Sequence, residues 1–218
     1  MAWIPAKYSD VRAQMKAGDV IAFSGKGDFS EVIKWATRAP VSHVGVILQT
    51  KLLIDLDEQP GMFNQVIEST TLNGFSGVSI SRLSDRVETY DGEIWWLPIE
   101  KGLWDKMNKK AFYDFLIHQN HKPYDMPQAI KSALDAFDSI PVAEKLTHNK
   151  EDFARFFCSE LVTGSLEAAG AISSINASEV TPIDLCSFRL YESDYYQLKG
   201  GKKEIRAYNS LDPSGWGE

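Results

Sequence analysis

Over Val41–Gln49 the chain alternates in a two-residue rhythm, with Val44, Val46 and Leu48 on one side and His43, Gly45 and Ile47 on the other. Strand side chains project alternately to the two faces, so this run predicts a strand, and its β-rich character predicts cover on both faces. Asp19–Ser24 reads as another strand, and strands resume at Phe63–Ser69, Val78–Ser81 and Glu93–Ile99. Elsewhere the apolar spacing changes to that of a helix. Val11 and Met15 predict a short helix over Ser9–Lys16, with Ser9 or Asp10 as cap and Gly18 as stop. Val32, Ile33 and Ala36 predict one over Asp28–Ala39, and Leu103, Met107, Ala111 and Phe115 predict one from Leu103 to about Gln119. Pro127–Phe137 starts with proline at a first-turn position. Cys158–Ala169 carries Leu161, Val162, Leu166 and Ala169 on its apolar side, with Gly170 as the stop.

The connections are read from composition. Asp55–Gly61 is an acidic loop, and Asp138–Asp152, with Pro141 and little periodicity, reads as an inserted loop with one helical turn. Thr181-Pro182-Ile183-Asp184 opens a turn or short helix, and Tyr191–Leu198 with Lys203–Tyr208, joined by Gly200-Gly201, predicts a hairpin. No repeat, low-complexity tract or linker divides the chain. The expected architecture is one α+β domain over residues 1–218, an antiparallel sheet packed against the helix that starts at Cys158.

Composition narrows the partners. A chain of 218 residues with 44% apolar residues is large enough to bury a core without staples. The 23 basic residues against 30 acidic ones give a net charge of -7, which disfavours nucleic acid and anionic membranes. Two cysteines, Cys158 and Cys186, are too few for a disulfide framework and fit a reducing compartment. The first ten residues lack a secretory pattern and no later stretch is long and apolar enough to span a bilayer, so a cytoplasmic protein without an integral membrane segment is expected. Composition is silent on oligomeric state.

Chemistry concentrates at Phe156-Phe157-Cys158-Ser159-Glu160-Leu161-Val162. A cysteine opening an amphipathic helix meets the positive end of the helix dipole, which stabilises a thiolate; the competing reading is a buried structural cysteine. A nucleophile needs a base. Ser42-His43-Val44-Gly45-Val46 sets a histidine on a strand beside a small residue that admits close approach, although a lone histidine also suits a satisfied core position. Glu68 in Val66-Ile67-Glu68-Ser69, on the next strand, is placed to accept from the imidazole and fix its tautomer; its competing reading is a solvated strand-end carboxylate. Other clusters fall short. His118 and His121 lack the companions of a zinc site, and Asp55, Asp57 and Glu58 lack the spacing of a calcium loop. Gly25-Lys26-Gly27 and Asn73–Gly77 match neither a phosphate loop nor a nucleophile elbow. Trp95-Trp96 lacks basic interleaving and reads as core. No metal or cofactor is expected.

In order, Gly18–Phe23 (GDVIAF), Ser42–Val46 (SHVGV), Val66–Ser69 (VIES), Pro123–Asp125 (PYD), Phe156–Val162 (F-x-CSELV) and Thr181–Leu185 (TPIDL) resemble the circularly permuted NlpC-type papain-like amidases and peptidases, the YiiX-like branch especially. The resemblance implies Cys158 as nucleophile, His43 as general base and Glu68 as the orienting residue. Their order His, Glu, Cys departs from the Cys, His, Asn of papain, as a permuted chain requires. Tyr124 is a candidate for the cleft wall or the oxyanion, with plain packing as its alternative; Ser42 and Ser159 are candidate polar wall residues. The long stretch between Asp125 and Cys158 departs from the family pattern. The implied function is a thiol-dependent hydrolase of amide or ester bonds through a thioester. The alternatives are an acyltransferase on the same triad, as in lecithin:retinol acyltransferase-type relatives, and a non-catalytic peptide- or lipid-binding module. A cell-wall peptide, a protein isopeptide and a lipid amide all remain open as substrates.

Overall fold

The computed structural model describes residues 2–26, 40–53, 61–72, 74–123, 156–173 and 175–216. The helices expected at 28–39 and 127–137, the loop expected at 138–152, all but Gly61 of the loop expected at 55–61, and Tyr124 lie outside the described residues. Among the described residues the strands are β1 (Ala2–Pro5), β2 (Val20–Gly25), β3 (His43–Leu53), β4 (Gly61–Leu72), β5 (Phe75–Arg82), β6 (Gly92–Leu97) and β7 (Asp194–Lys199). The helices are α1 (Tyr8–Val11), α2 (Leu83–Thr89), α3 (Lys101–Lys106), α4 (Lys109–Gln119), α5 (Phe156–Ala168) and α6 (Pro182–Ser187), with short 3-10 turns at Arg12–Gln14 and Ala177–Glu179. The fold is mixed α+β on a seven-stranded sheet in the order β1-β7-β6-β2-β3-β4-β5. Every pairing is antiparallel except β1 with β7 at one edge.

The alternation in β3 separates two apolar layers. Val44, Val46 and Leu48 join Val20, Ala22 and Ile67 beneath α4, α5 and α6, while Ile47 joins Ile21, Phe23 and Val66 beneath α1 and α2. The central strands are therefore buried on both faces, and each fully buried aliphatic side chain contributes roughly 1.5–3 kcal/mol. Trp95 and Trp96 fall on opposite faces for the same reason and are both core residues. Helix α5 lies across β3 and β4. It ends as its glycine predicts: Gly170 has φ +69°, Ala171 N donates to Leu166 O and Gly170 N to Glu167 O, both at 2.8 Å.

Several elements differ from expectation. The single helix expected from Leu103 breaks into α3 and α4, because Asn108 N donates to Ala169 O (2.9 Å) at the end of α5 and the Asn108 side chain caps α4 through Ala111 N (3.0 Å). Helix α5 starts at Phe156, two residues early, so Cys158 is its third residue. The expected hairpin has only its first arm, shortened to β7. Both edges of β7 are already taken, by β1 and β6, so the segment after Gly201 is held instead by Gln197 and by Trp95 Nε1, which donates to Lys203 O (3.0 Å). Strand β1 and helix α2 were not expected.

One buried carboxylate ties the start of β2 to the end of β6. Asp19 accepts from Ile99 N (3.0 Å), Trp96 Nε1 (2.8 Å) and Lys16 N (2.9 Å). Burial pushes its carboxyl up to about 6 against these three donors, which pull the other way.

Candidate active site

His43 is the first residue of β3 and stands opposite Phe23 of β2. The approach to it is fixed by short local bonds, Ser42 N to Phe23 O (2.9 Å) and Gly25 N to Ser42 Oγ (3.3 Å). Ser42 is fully buried, and its hydroxyl holds the two strand ends together. Glu68 on β4 stands opposite Gly45, two residues along from His43 and on the same face. A Cβ on Gly45 would lie 3.1 Å from Glu68 Cβ, so the absent side chain is what leaves the carboxylate its diagonal course towards the imidazole. His43 Nε2 and Glu68 Oε2 are 2.7 Å apart, with both residues buried.

Arg86 completes this cluster from α2. Its terminal NH2 nitrogen donates to Glu68 Oε2 at 3.1 Å and its Nε lies 2.7 Å from Oε1 as a close ion-pair contact, so the guanidinium faces both carboxylate oxygens. The guanidinium also rests against the rings of Phe23 (5.4 Å) and Tyr90 (5.1 Å), and the Phe23 ring lies 5.2 Å from the imidazole. Burial pushes the Glu68 carboxyl up, but Arg86 and the His43 hydrogen bond outweigh it and hold the pKa below its ordinary value. Sequence reasoning missed Arg86. The available signal was its spacing from Leu83, three residues earlier on one helix face: an arginine on an apolar face asks for a buried anion.

Cys158 sits in the first turn of α5, fully buried, and Ser159 beside it is buried too. The dipole argument survives the shifted helix start, since the third residue still lies in the first turn. The sulfur belongs to the layer of Val44 and Val46, whereas His43 and Glu68 project into the layer of Phe23 and Val66. The structure thus brings His43, Glu68 and Arg86 together on one face of the sheet and sets Cys158 in the layer on the other. Cys186 on α6 is also a free, buried thiol. Burial, with Cys158 and Asp184 adding to it, pushes its thiol well up and out of the reactive range.

Among the described residues, no group of three or more His, Cys, Asp or Glu side chains could hold a metal ion. His121, at φ 63°, has left the helix that carries His118 and turns its ring edge-on to Phe75. No helix among the described residues is long and apolar enough to cross a membrane.

No protein-family model matches the chain. It is 25% identical over 183 residues to the uncharacterized protein R372 of Acanthamoeba polyphaga mimivirus, a match covering 76% of this chain and 71% of that protein. Among solved structures it is similar to that of the metalloprotein yiiX from Escherichia coli O157:H7, with a TM-score of 0.43 and 19% identity over 72% of this chain and 67% of that one.

Proposed function

We propose that this protein is a cysteine-dependent hydrolase of amide or ester bonds with a permuted papain-like arrangement, in which Cys158 is the nucleophile, His43 the general base and Glu68 the residue that orients it. The observation that carries the reading is the buried 2.7 Å pair of His43 Nε2 and Glu68 Oε2. A carboxylate can only accept, so Nε2 carries the proton and the basic lone pair falls on Nδ1. In the reaction Cys158 Sγ–H gives its proton to Nδ1, and the thiolate attacks the carbonyl carbon to form a thioester. His43 returns the proton to the leaving group, and water then hydrolyses the thioester. The positive end of α5 favours the thiolate. The reading requires the sulfur and Nδ1 to approach each other past the end of β3, of which His43 is the first residue. Ser42, Ser159 and, outside the described residues, Tyr124 are the candidates for substrate binding. Transfer of the acyl group to an acceptor other than water uses the same thioester. The substrate is a peptide, amide or lipid amide, and the site of action is the cytoplasm.

Brief, limiting iodoacetamide near neutral pH followed by mass spectrometry tests this. Cys158 is expected to be labelled about ten times faster than a free thiol, with Cys186 untouched, and His43→Ala should abolish the advantage. Preferential labelling of Cys186, or a Cys158 rate indifferent to His43→Ala, overturns the assignment. A library of amides and esters, with Cys158→Ala as control, then identifies the substrate.

A second reading is favoured by the burial of Cys158 and His43 and by their different layers. In it the fold is a non-catalytic peptide- or lipid-binding module and His43, Glu68 and Arg86 form a structural ion cluster. Ordinary thiol reactivity in a folded wild-type protein selects this reading.

A further inference from the structure

We propose that Arg86 is a positioning residue of this site: its guanidinium, and not the His43 imidazole, is the counter-ion of the buried Glu68 carboxylate, which leaves His43 neutral with its proton on Nε2. The catalytic consequence rests on the cysteine-hydrolase reading; the charge assignment stands on the geometry alone.

The argument is one of charge count in a dry site. Glu68 is buried, and a buried carboxylate calls for one positive charge. Arg86 supplies it through both carboxylate oxygens and cannot deprotonate. Among the contacts described, the imidazole meets Glu68 Oε2 from β4 and the Phe23 ring from β2, while Arg86 from α2 and Tyr90 just beyond it pack on Phe23, with Arg86 on Glu68 as well. With Glu68 and Arg86 already balanced, protonating His43 would leave an uncompensated positive charge. The ring therefore takes a second proton only when an anion forms beside it.

The Cys158 thiolate is such an anion. When the S–H bond breaks and the Nδ1–H bond forms, the cluster carries two positive and two negative charges, and no proton is exchanged with solvent. Without Arg86 the carboxylate recruits His43 as its counter-ion. Nδ1 is then already protonated by solvent and cannot receive the thiol proton. Arg86 acts through Glu68 and touches no substrate.

The experiment is ¹⁵N imidazole NMR on the full chain for wild type, Arg86→Lys, Arg86→Met and the double variant Arg86→Met/Glu68→Gln. At pH 7 the wild-type ring is expected to carry one proton, on Nε2. In Arg86→Met both nitrogens are protonated and the ring titrates about one pH unit or more higher. Arg86→Lys, which keeps the charge and loses the fork, lies between. The double variant, which has no carboxylate to balance, returns to a neutral ring. Should Arg86→Met fail to fold, the lysine and double variants still decide. An Nδ1–H tautomer in wild type, a ring that is doubly protonated even in Cys158→Ala, where no thiolate can form, or unchanged spectra in the variants, overturns the proposal.

Alkylation of Cys158 at pH 6 in the same samples separates the two readings. A loss of about tenfold in Arg86→Met supports both. The expected spectra with an ordinary thiol in every sample uphold the Arg86 assignment and overturn the hydrolase reading instead.

Discussion

Gly45 faces Glu68 directly across the β3–β4 ladder, and the carboxylate reaches His43 over a position that has no side chain. A methyl group at Gly45 would stand 3.0 Å from Val66 Cγ2, 3.1 Å from Glu68 Cβ and 3.2 Å from Ile67 O. The last is backbone of the paired strand and cannot swing away. Gly45→Ala should therefore cost about 1–3 kcal/mol in chemical denaturation and shift the His43 imidazole resonances. An unchanged midpoint with unchanged resonances would show that Glu68 reaches His43 by another course.

The two halves of the Glu68 contact are separable by graded substitution. Glutamine keeps an acceptor for Nε2–H but leaves the Arg86 guanidinium buried without its anion. Glu68→Gln should lose roughly 3–5 kcal/mol near neutral pH. Glu68→Ala should lower Cys158 alkylation further, because the ring then has no anchor. Equal alkylation profiles for wild type and both variants, all folded, would remove Glu68 from the site.

The same carboxylate predicts a pH signature. Its pKa is held below the ordinary 4.5, so the stability it contributes is present above that value and is lost as pH falls through the lower folded one. The difference in urea midpoint between wild type and Glu68→Gln should shrink as pH drops below about 4.5. A difference constant down to pH 3 would mean the carboxyl is not depressed in the folded protein.

Asp19 has the opposite sign. Its folded pKa of about 6 lies above the ordinary 3.8, so the folded protein binds the extra proton between those values. The stability this contributes is complete below 3.8 and is lost as pH rises to about 6. Measured against Asp19→Asn, wild type should lose relative stability over that interval and then level off. The asparagine, whose amide must turn one N–H towards a donor, should be weaker by about 1–3 kcal/mol at neutral pH. A relative stability flat from pH 4 to pH 7 would show that the three N–H donors keep Asp19 ionised throughout.

What could be read in advance followed local rules. The alternation of Val44, Val46 and Leu48 announced a strand covered on both faces, and Gly45 announced a close approach. Gly170 marked the end of α5, and Thr181-Pro182 marked the start of α6, whose capping box is complete. The misses depended on partners distant in the chain. Nothing near Asn108 foretells that the Ala169 carbonyl will draw its N–H out of a helix. Nothing near Tyr191 tells that both edges of the following strand are spoken for. Within the site, His43 and Glu68 were legible as a pair on adjoining strands. Arg86 was not, because its helix is short and its role is set by what it packs against.

The parallel pairing of β1 with β7 has a consequence for how the chain is made. Ala2 and Asp194 are partners although 192 positions separate them. During synthesis β1 finds no mate until the 192 positions up to Asp194 have followed it. Until then the β6 edge of the sheet stands open, and the loop to be closed is a long one. This edge should form late in refolding, with amide hydrogens of Trp3 and Ile4 protected after those of β2 and β3. It is also where an incompletely made chain is most exposed to pairing with a neighbour.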